Sequence, residues 1–294
     1  MSAFQRVISR IPWVPVLGNH EYYEGDEFHR YLNMTWGEVY GASTSETHLE
    51  THTSKTPLNF FLAHATTLGA AAHGTVPSAT SRFYSVDIGL VHIVVLDFNC
   101  YYFDTEAVWR QPQIDWMEKD LMGVDRSQTP WVIAVSHYPM YCSSVTLAGP
   151  EHDDGQGDED PGSYNGCWSY GSNINTLRND VEPLFQRYGV DAYLAGHEHD
   201  YESLYSVLNN TVLSKSFVNP PAPVHFVSGA GGAPALDRFG DPGPFTRKQI
   251  SAWGYGRITV NNATVLRFEQ IRNSDSAVID TVDIVRTSGR NAFF

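Results

Sequence analysis

The stretch Ala195-Gly196-His197-Glu198-His199-Asp200-Tyr201-Glu202 decides how this chain reads. It follows the apolar run Val190 to Leu194, whose length and composition predict a short buried strand. His197 and His199 fall where that strand gives way to a loop, and Gly196 lets the backbone turn there without a Cβ clash. Neutral imidazoles on such a rim are good ligands for Zn, Fe or Mn-like ions. Alone, a His-x-His pair is a weak signal, because most such pairs are surface or hydrogen-bonded residues.

Two further stretches strengthen it. Pro15-Val16-Leu17-Gly18-Asn19-His20-Glu21 again reads as strand, glycine, then polar ligand-type residues. Trp131-Val132-Ile133-Ala134-Val135-Ser136-His137-Tyr138-Pro139 is an apolar strand ending in a histidine. All three stretches put Asn or His at the C-terminal end of a strand, the edge where open α/β sheets bind their ligands.

This order of motifs resembles the calcineurin-like metallophosphoesterases, and in detail their purple acid phosphatase branch. The residues that carry the likeness are Gly18-Asn19-His20-Glu21, Ser136 to Tyr141 and Ala195 to Glu202. Arg82-Phe83-Tyr84-Ser85, Thr129-Pro130-Trp131 and Val227 to Gly232 also look like that branch. The resemblance runs from Met1 to about Val285. It implies an α/β (α+β) fold, a four-layer αββα sandwich with mixed sheets. Residues 1–205 would be the metallophosphoesterase domain, incomplete at its N-terminus, and 222–286 the C-terminal region of a purple acid phosphatase.

The resemblance also implies a chemistry: hydrolysis of phosphate monoesters at a dinuclear centre of Fe(3+) and a divalent Zn, Mn or Fe ion. By motif, Asn19, His137 and His197 would hold the divalent ion and His199 the ferric ion. His20 would hydrogen-bond the phosphate or donate a proton to the leaving oxygen, making it both catalytic and substrate-binding. Glu21, Tyr201 and Glu202 match the motif as residues that orient ligands. The chain departs from the family in one respect. An Asp-x-Gly and a Gly-Asp-x-x-Tyr motif, which carry the ferric Asp, the bridging Asp and the Tyr, precede Gly-Asn-His-Glu there, and residues 1–18 contain neither. Gly25-Asp26 lies downstream and is followed by Glu27-Phe28-His29, so it is no substitute. The expected reading is an acid phosphatase sequence lacking its N-terminal portion. A phosphodiesterase or nucleotide phosphatase on the same scaffold and a non-catalytic metal-binding remnant are the alternatives.

The bulk properties set outer bounds. At 294 residues, with 42% hydrophobic and 13% aromatic residues, the chain can bury a full core. The formal charge of −14 argues against a nucleic-acid or anionic-membrane surface, which needs clustered Lys and Arg. It also disfavours a phosphate ester substrate unless bound cations supply the attraction locally. No run of eighteen apolar residues predicts a membrane span, and the N-terminus lacks a signal-type apolar core. Of the three cysteines, Cys142 and Cys167 flank one loop and are either a disulfide or buried thiols, leaving Cys100 over. Sequons at Asn33, Asn209 and Asn262 lean towards secretion, and with the resemblance suggest a secreted or vacuolar/lysosomal protein. Oligomeric state is not readable.

Along the chain, Phe4, Val7, Ile8 and Ile11 share a helical face and Trp13–Leu17 reads as a strand. Residues 21–80 read as a helix near Glu27–Leu32 and then a long irregular excursion whose His48, His52, His64 and His73 lack ligand spacing. Strands are predicted at Phe83–Val86 and Val91–Leu96, with a turn at Ile88-Gly89-Leu90, and a helix at Gln111–Met122 whose spacing Ile114, Met117, Glu118 and Leu121 follow. The loop 142–172 carries an acidic, glycine-rich run at 151–160, read as solvated, with His152 in it. Ile174, Leu177, Val181, Leu184, Phe185 and Tyr188 form a helical stripe that Pro183 is expected to kink or split. Beyond Glu202, strands at 224–227, 255–260, 264–269 and 278–285 are expected to form a mainly antiparallel second sheet.

Overall fold

A computed structural model describes residues 14, 16–20, 82–145 and 173–287. The predicted helices near 1–11 and 27–32, the four histidines between 48 and 73, His152, the acidic run, Cys167 and the Asn33 sequon lie outside them.

The larger sheet has eight strands. Strands β1 (Tyr84–Ile88) and β2 (Val91–Val95) form a hairpin turned by Gly89, whose φ of +59° needs a residue without a Cβ. Parallel to β2 run β3 (Trp131–Val135), β5 (Ala192–Ala195) and β8 (Val224–Ser228). Antiparallel to β8 comes β6 (Tyr201–Leu208), paired in turn with β10 (Thr246–Ile250) and β7 (Thr211–Ser214), while β4 (Ser144–Val145) and β9 (Arg238–Phe239) form a separate antiparallel pair. The central strands read as nearly continuous apolar runs because both of their faces are covered. Along β3, Val132 and Ala134 face one core while Trp131 and Ile133 face the other.

On the first face lie α2 (Arg110–Met122) and α3 (Asn173–Tyr188), with the short α1 (Asn99–Tyr102) and a 3-10 turn at Asp104–Trp109 before α2. Pro183 sits inside α3 without dividing it. The missing N–H costs one intrahelical bond, and the apolar stripe, with Leu177, Val181 and Phe185 almost fully buried, holds the helix through it. The buried face of α2 is Gln113, Trp116, Met117, Asp120 and Leu121, so the predicted stripe through Ile114 and Glu118 is rotated. The rotation brings Asp120 to a buried histidine of β2, His92.

The second face is covered by a three-stranded antiparallel sheet, β11 (Gly254–Val260), β12 (Val265–Arg272) and β13 (Val278–Val285). Phe268 of β12 stacks on Phe226 of β8 at 4.0 Å and beside Tyr201 of β6. Asp280 of β13 accepts from the Tyr201 hydroxyl at 2.7 Å and pairs with Arg247 of β10. The expected second sheet is therefore smaller than the alternation suggested. Its predicted first member, 224–227, is a parallel strand of the large sheet, because Val224 and Phe226 pack towards the small sheet while His225 and Val227 pack towards the helices. Helices, large sheet and small sheet form three layers of an α/β sandwich. The second helical layer that the resemblance implies is not seen among the described residues.

Candidate metal centre

The parallel strands β3 and β5 end side by side, and their loops are tied together. Ser136 N donates to Leu194 O at 3.1 Å and Gly196 N to His137 O at 2.9 Å. Next to them, β8 is followed by Gly229, whose N donates to Asp200 O. A Cβ on Gly229 would stand 2.1 Å from Glu198 O, so only glycine lets these two loops approach so closely. The residue with a left-handed backbone is His197, at φ +63°, and not Gly196 as the sequence suggested. A non-glycine residue in that region is strained, and such residues cluster where side chains must be aimed.

Three of the five residues singled out from the sequence meet here. His137 Nε2 lies 2.7 Å from Asn19 Oδ1 and 2.9 Å from His197 Nδ1. The two imidazoles stand edge to face, 4.9 Å apart, and Tyr138 packs against both rings. Asn19 is buried, while His20 beside it is exposed. His199 makes no direct contact with the trio but lies close enough, as does His20, for its charge to act on His137. Burial first, and these two imidazoles second, push the pKa of His137 down to about 4. It is neutral above that pH, with a lone pair to offer.

The trio contains a contradiction that a cation resolves. One ring nitrogen carries either one proton or one lone pair, so Nε2 of His137 makes a full hydrogen bond to Asn19 Oδ1, which only accepts, or to His197 Nδ1, and not to both. A cation accepts donation from all three at once. Around a tetrahedral ion with ligands at about 2.0–2.1 Å, donors stand roughly 3.3 Å apart, so each contact has only to open by a few tenths of an ångström. Two imidazoles and one amide oxygen suit Zn(II) or Mn(II). They do not extend to a ferric site. Among the described residues no anionic oxygen donors converge on the His199 imidazole, and no group of three or more His, Cys, Asp or Glu comes together there.

The stretch 13–17, expected as a strand, forms none at its described positions. Its described apolar side chains pack without a ladder: half-buried Val14 lies against Val86, Leu17 is almost fully buried, and Leu17 O accepts from Asn99 Nδ2. Tyr201 and Glu202 do not orient the histidines. Tyr201 points between the sheets to Asp280, and Glu202 is spent on Ser143 and Thr246, because both lie on β6 and not in the loop. The residue that does hold His199 is Asp237. Its Oδ2 accepts from His199 N at 2.6 Å and its N donates to His199 O at 3.1 Å. Asp237 sits in a loop without periodicity, so nothing in the sequence marked it. Cys142, just beyond the His137 loop, is disulfide-bonded, and Cys100 is free and buried.

A fold with ligand-type residues gathered at the ends of parallel strands, backed by a second sheet, defines a class. The calcineurin-like phosphoesterase family model matches residues 1–201, and the chain belongs to that family. Within it the chain is a member of the purple acid phosphatases: the family described as iron/zinc purple acid phosphatase-like protein C matches residues 222–281. The human protein called acid phosphatase type 7 is 31% identical over 220 residues, covering 69% of this chain and 46% of that one. The Fe(3+)-Zn(2+) purple acid phosphatase 12 of Arabidopsis thaliana is 28% identical over 217 residues, covering 70% and 40%. Purple acid phosphatase PPD1 from yellow lupin (Lupinus luteus) seeds superposes with a TM-score of 0.55 at 26% identity, covering 72% of this chain and 34% of that one. The chain thus spans less than half the length of these relatives.

Proposed function

We propose that this chain carries the divalent-metal half of a phosphate monoester hydrolase, with Asn19, His137 and His197 as the ligands. The observation that supports this most directly is His137 Nε2 held between two other donor atoms at 2.7 and 2.9 Å. The relative named for Fe(3+) and Zn(2+) supports zinc as the ion for this set and iron for a partner site to which His199 would contribute. Bound there, a divalent ion lowers the pKa of a coordinated water and neutralises phosphoryl charge. The chain's own part is to keep His137 unprotonated by burial and to fix Asn19 and His197 against it. His20, exposed beside Asn19, stands where a phosphate would approach, to hydrogen-bond an oxygen or protonate the leaving group. With a formal charge of −14 on the chain, the cation is also what draws an anionic ester to this edge. The substrate would be a phosphate ester, and the disulfide at Cys142 supports a secreted or vacuolar/lysosomal setting over a reducing one.

The test is a calorimetric titration of the purified 294-residue chain with Zn(II), beside a p-nitrophenyl phosphate assay. One ion per chain is expected, with His197→Ala losing at least about 100-fold in affinity. Because no anionic oxygen donors join His199 among the described residues, hydrolysis should be weak or absent. No saturable zinc binding, or an unaffected His197→Ala, would remove the ligand assignment.

A further inference from the structure

The polar cluster after β2 is not used by the chemistry above, yet it is among the most deeply buried in the molecule. Arg82, Asp97, Asn99 and Gln113 are each 5% exposed or less. Burying this many polar groups is costly unless each is bonded, and an apolar core would hold the layers together as well. The cluster sits at the C-terminal end of β2, on the same sheet edge where His137 follows β3 and His197 follows β5.

Its bonds run in one direction. Arg82 Nη1 donates to Asp97 Oδ2 at 3.1 Å and is also paired with Glu106. Gln113 grips the backbone of Asp97 from both sides, accepting from its N at 2.7 Å and donating to its O at 3.1 Å. Asp97 Oδ1 then accepts from Asn99 N at 3.0 Å and Asn99 Nδ2 at 2.7 Å. The other hydrogen of that amide goes to Leu17 O at 3.3 Å. The amide cannot be turned over, since Oδ1 would then face a carboxylate and a carbonyl. Leu17 is two residues before Asn19, in a segment whose described positions form no strand. Among the described residues no sheet ladder meets that backbone, and the Asn99 amide does.

We propose that Asn99, oriented by Asp97 and Arg82, is a positioning residue for Asn19. It holds the Leu17 carbonyl so that the Asn19 amide oxygen meets His137. This rests on the metal reading above for its consequence, though not for its geometry. Asn99→Ser is the variant of choice, because a serine hydroxyl still reaches Asp97 but falls short of Leu17. Asn99→Ala is the second variant should the first fold poorly, with each melting curve recorded.

Two measurements separate the possibilities. In the metal-free protein, the Asn19 side-chain amide resonances should shift in Asn99→Ser while those of Asn262 stay in place. Unmoved Asn19 resonances would overturn the proposal whatever zinc does. In the zinc titration, Asn99→Ser should bind about tenfold more weakly than the parent, the range seen when residues supporting a ligand are removed. In an Asn19→Ala background the same change should cost nothing further. An equal tenfold loss in both backgrounds would show that Asn99 acts by another route and overturn the proposal. A parent that binds no zinc would defeat the metal reading, and the resonance test would then decide this inference alone.

Discussion

His92, fully buried, and His137, half-buried, are attached to neighbouring strands of one sheet, and their surroundings drive them to opposite states. His92 lies between two carboxylates, with Nδ1 2.6 Å from Asp87 Oδ1 and Nε2 2.9 Å from Asp120 Oδ2, and Ser85 Oγ donates to Asp120. Burial alone would lower its pKa, but the bonds and charges of Asp120 and Asp87 reverse this and raise it to about 9. His137 has an amide oxygen and a second imidazole where His92 has carboxylates, and its pKa falls to about 4. The lesson concerns the supply of counter-charge. Where the protein provides anions, the imidazole holds a proton and the site is closed. Where it provides neutral donors, the place of the cation is left to something other than a proton.

The largest effect should come from breaking the closed site. His92→Leu leaves Asp87 and Asp120 buried without their shared cation, which costs roughly 3–5 kcal/mol. The sign of the pH dependence follows from the raised pKa. A base whose folded pKa is above its unfolded value of 6.5 contributes stability fully below 6.5 and loses it as pH rises through about 9. Urea titrations of the parent should therefore show on the order of 3 kcal/mol less stability at pH 9.5 than at pH 6 from this group. A parent with no such decline, or a His92→Leu variant with an undiminished one, would show that the carboxylates do not hold the proton.

How much of this was legible depended on whether a residue's role was local. The strands ending at Val135 and Ala195, the stripe of α3 and the motif positions of Asn19, His137 and His197 followed from periodicity and order in the chain. What was misread depended on long-range partners. Val224 to Val227 alternates whichever sheet it joins, and only its pairing with β5 decides. Trp13 to Leu17 has strand composition, yet a strand needs a neighbour. The rotated face of α2 is set by His92, a β2 residue that no helical period reveals. Asp237 binds a backbone, and a backbone carries no sequence signal.

An intermediate effect should come from Asp237, the carboxylate bonded to the backbone of His199. It meets the amide and carbonyl of His199 and leaves the imidazole alone. If its task is to fix the loop, Asp237→Ala should speed hydrogen exchange at the His199 amide by about tenfold, the loss of one charge-assisted bond. Asp237→Asn, which keeps an acceptor, should exchange within about threefold of the parent. Equal acceleration in both variants would mean that the negative charge, and not the bond, holds the loop.

The smallest effect should come from a third histidine, which isolates what neutrality alone is worth. His225 of β8 is almost fully buried, and burial pushes its pKa down to about 3, with Arg178 adding to the shift. It is thus as neutral as His137, but its ring is walled by Tyr141 and Tyr193, and its Nδ1 has no hydrogen-bond partner among the described residues. It lies within the strand, away from the C-terminal edge where Asn19 and His197 converge. Replacing an unpaired buried polar ring by an apolar one of similar shape is close to neutral, so His225→Phe should change stability at pH 7 by less than about 1.5 kcal/mol. Zinc affinity should not change. The two lowered histidines do share a pH signature. Each must take up a proton on unfolding below 6.5, so stability falls with acidity, through about 4 for His137 and about 3 for His225. His225→Phe should flatten that acid slope by one proton and leave the titration of His137 in place. If zinc binding were lost with His225, a buried neutral imidazole anywhere in this sheet would suffice, and the geometry at the strand ends would not be what makes a ligand.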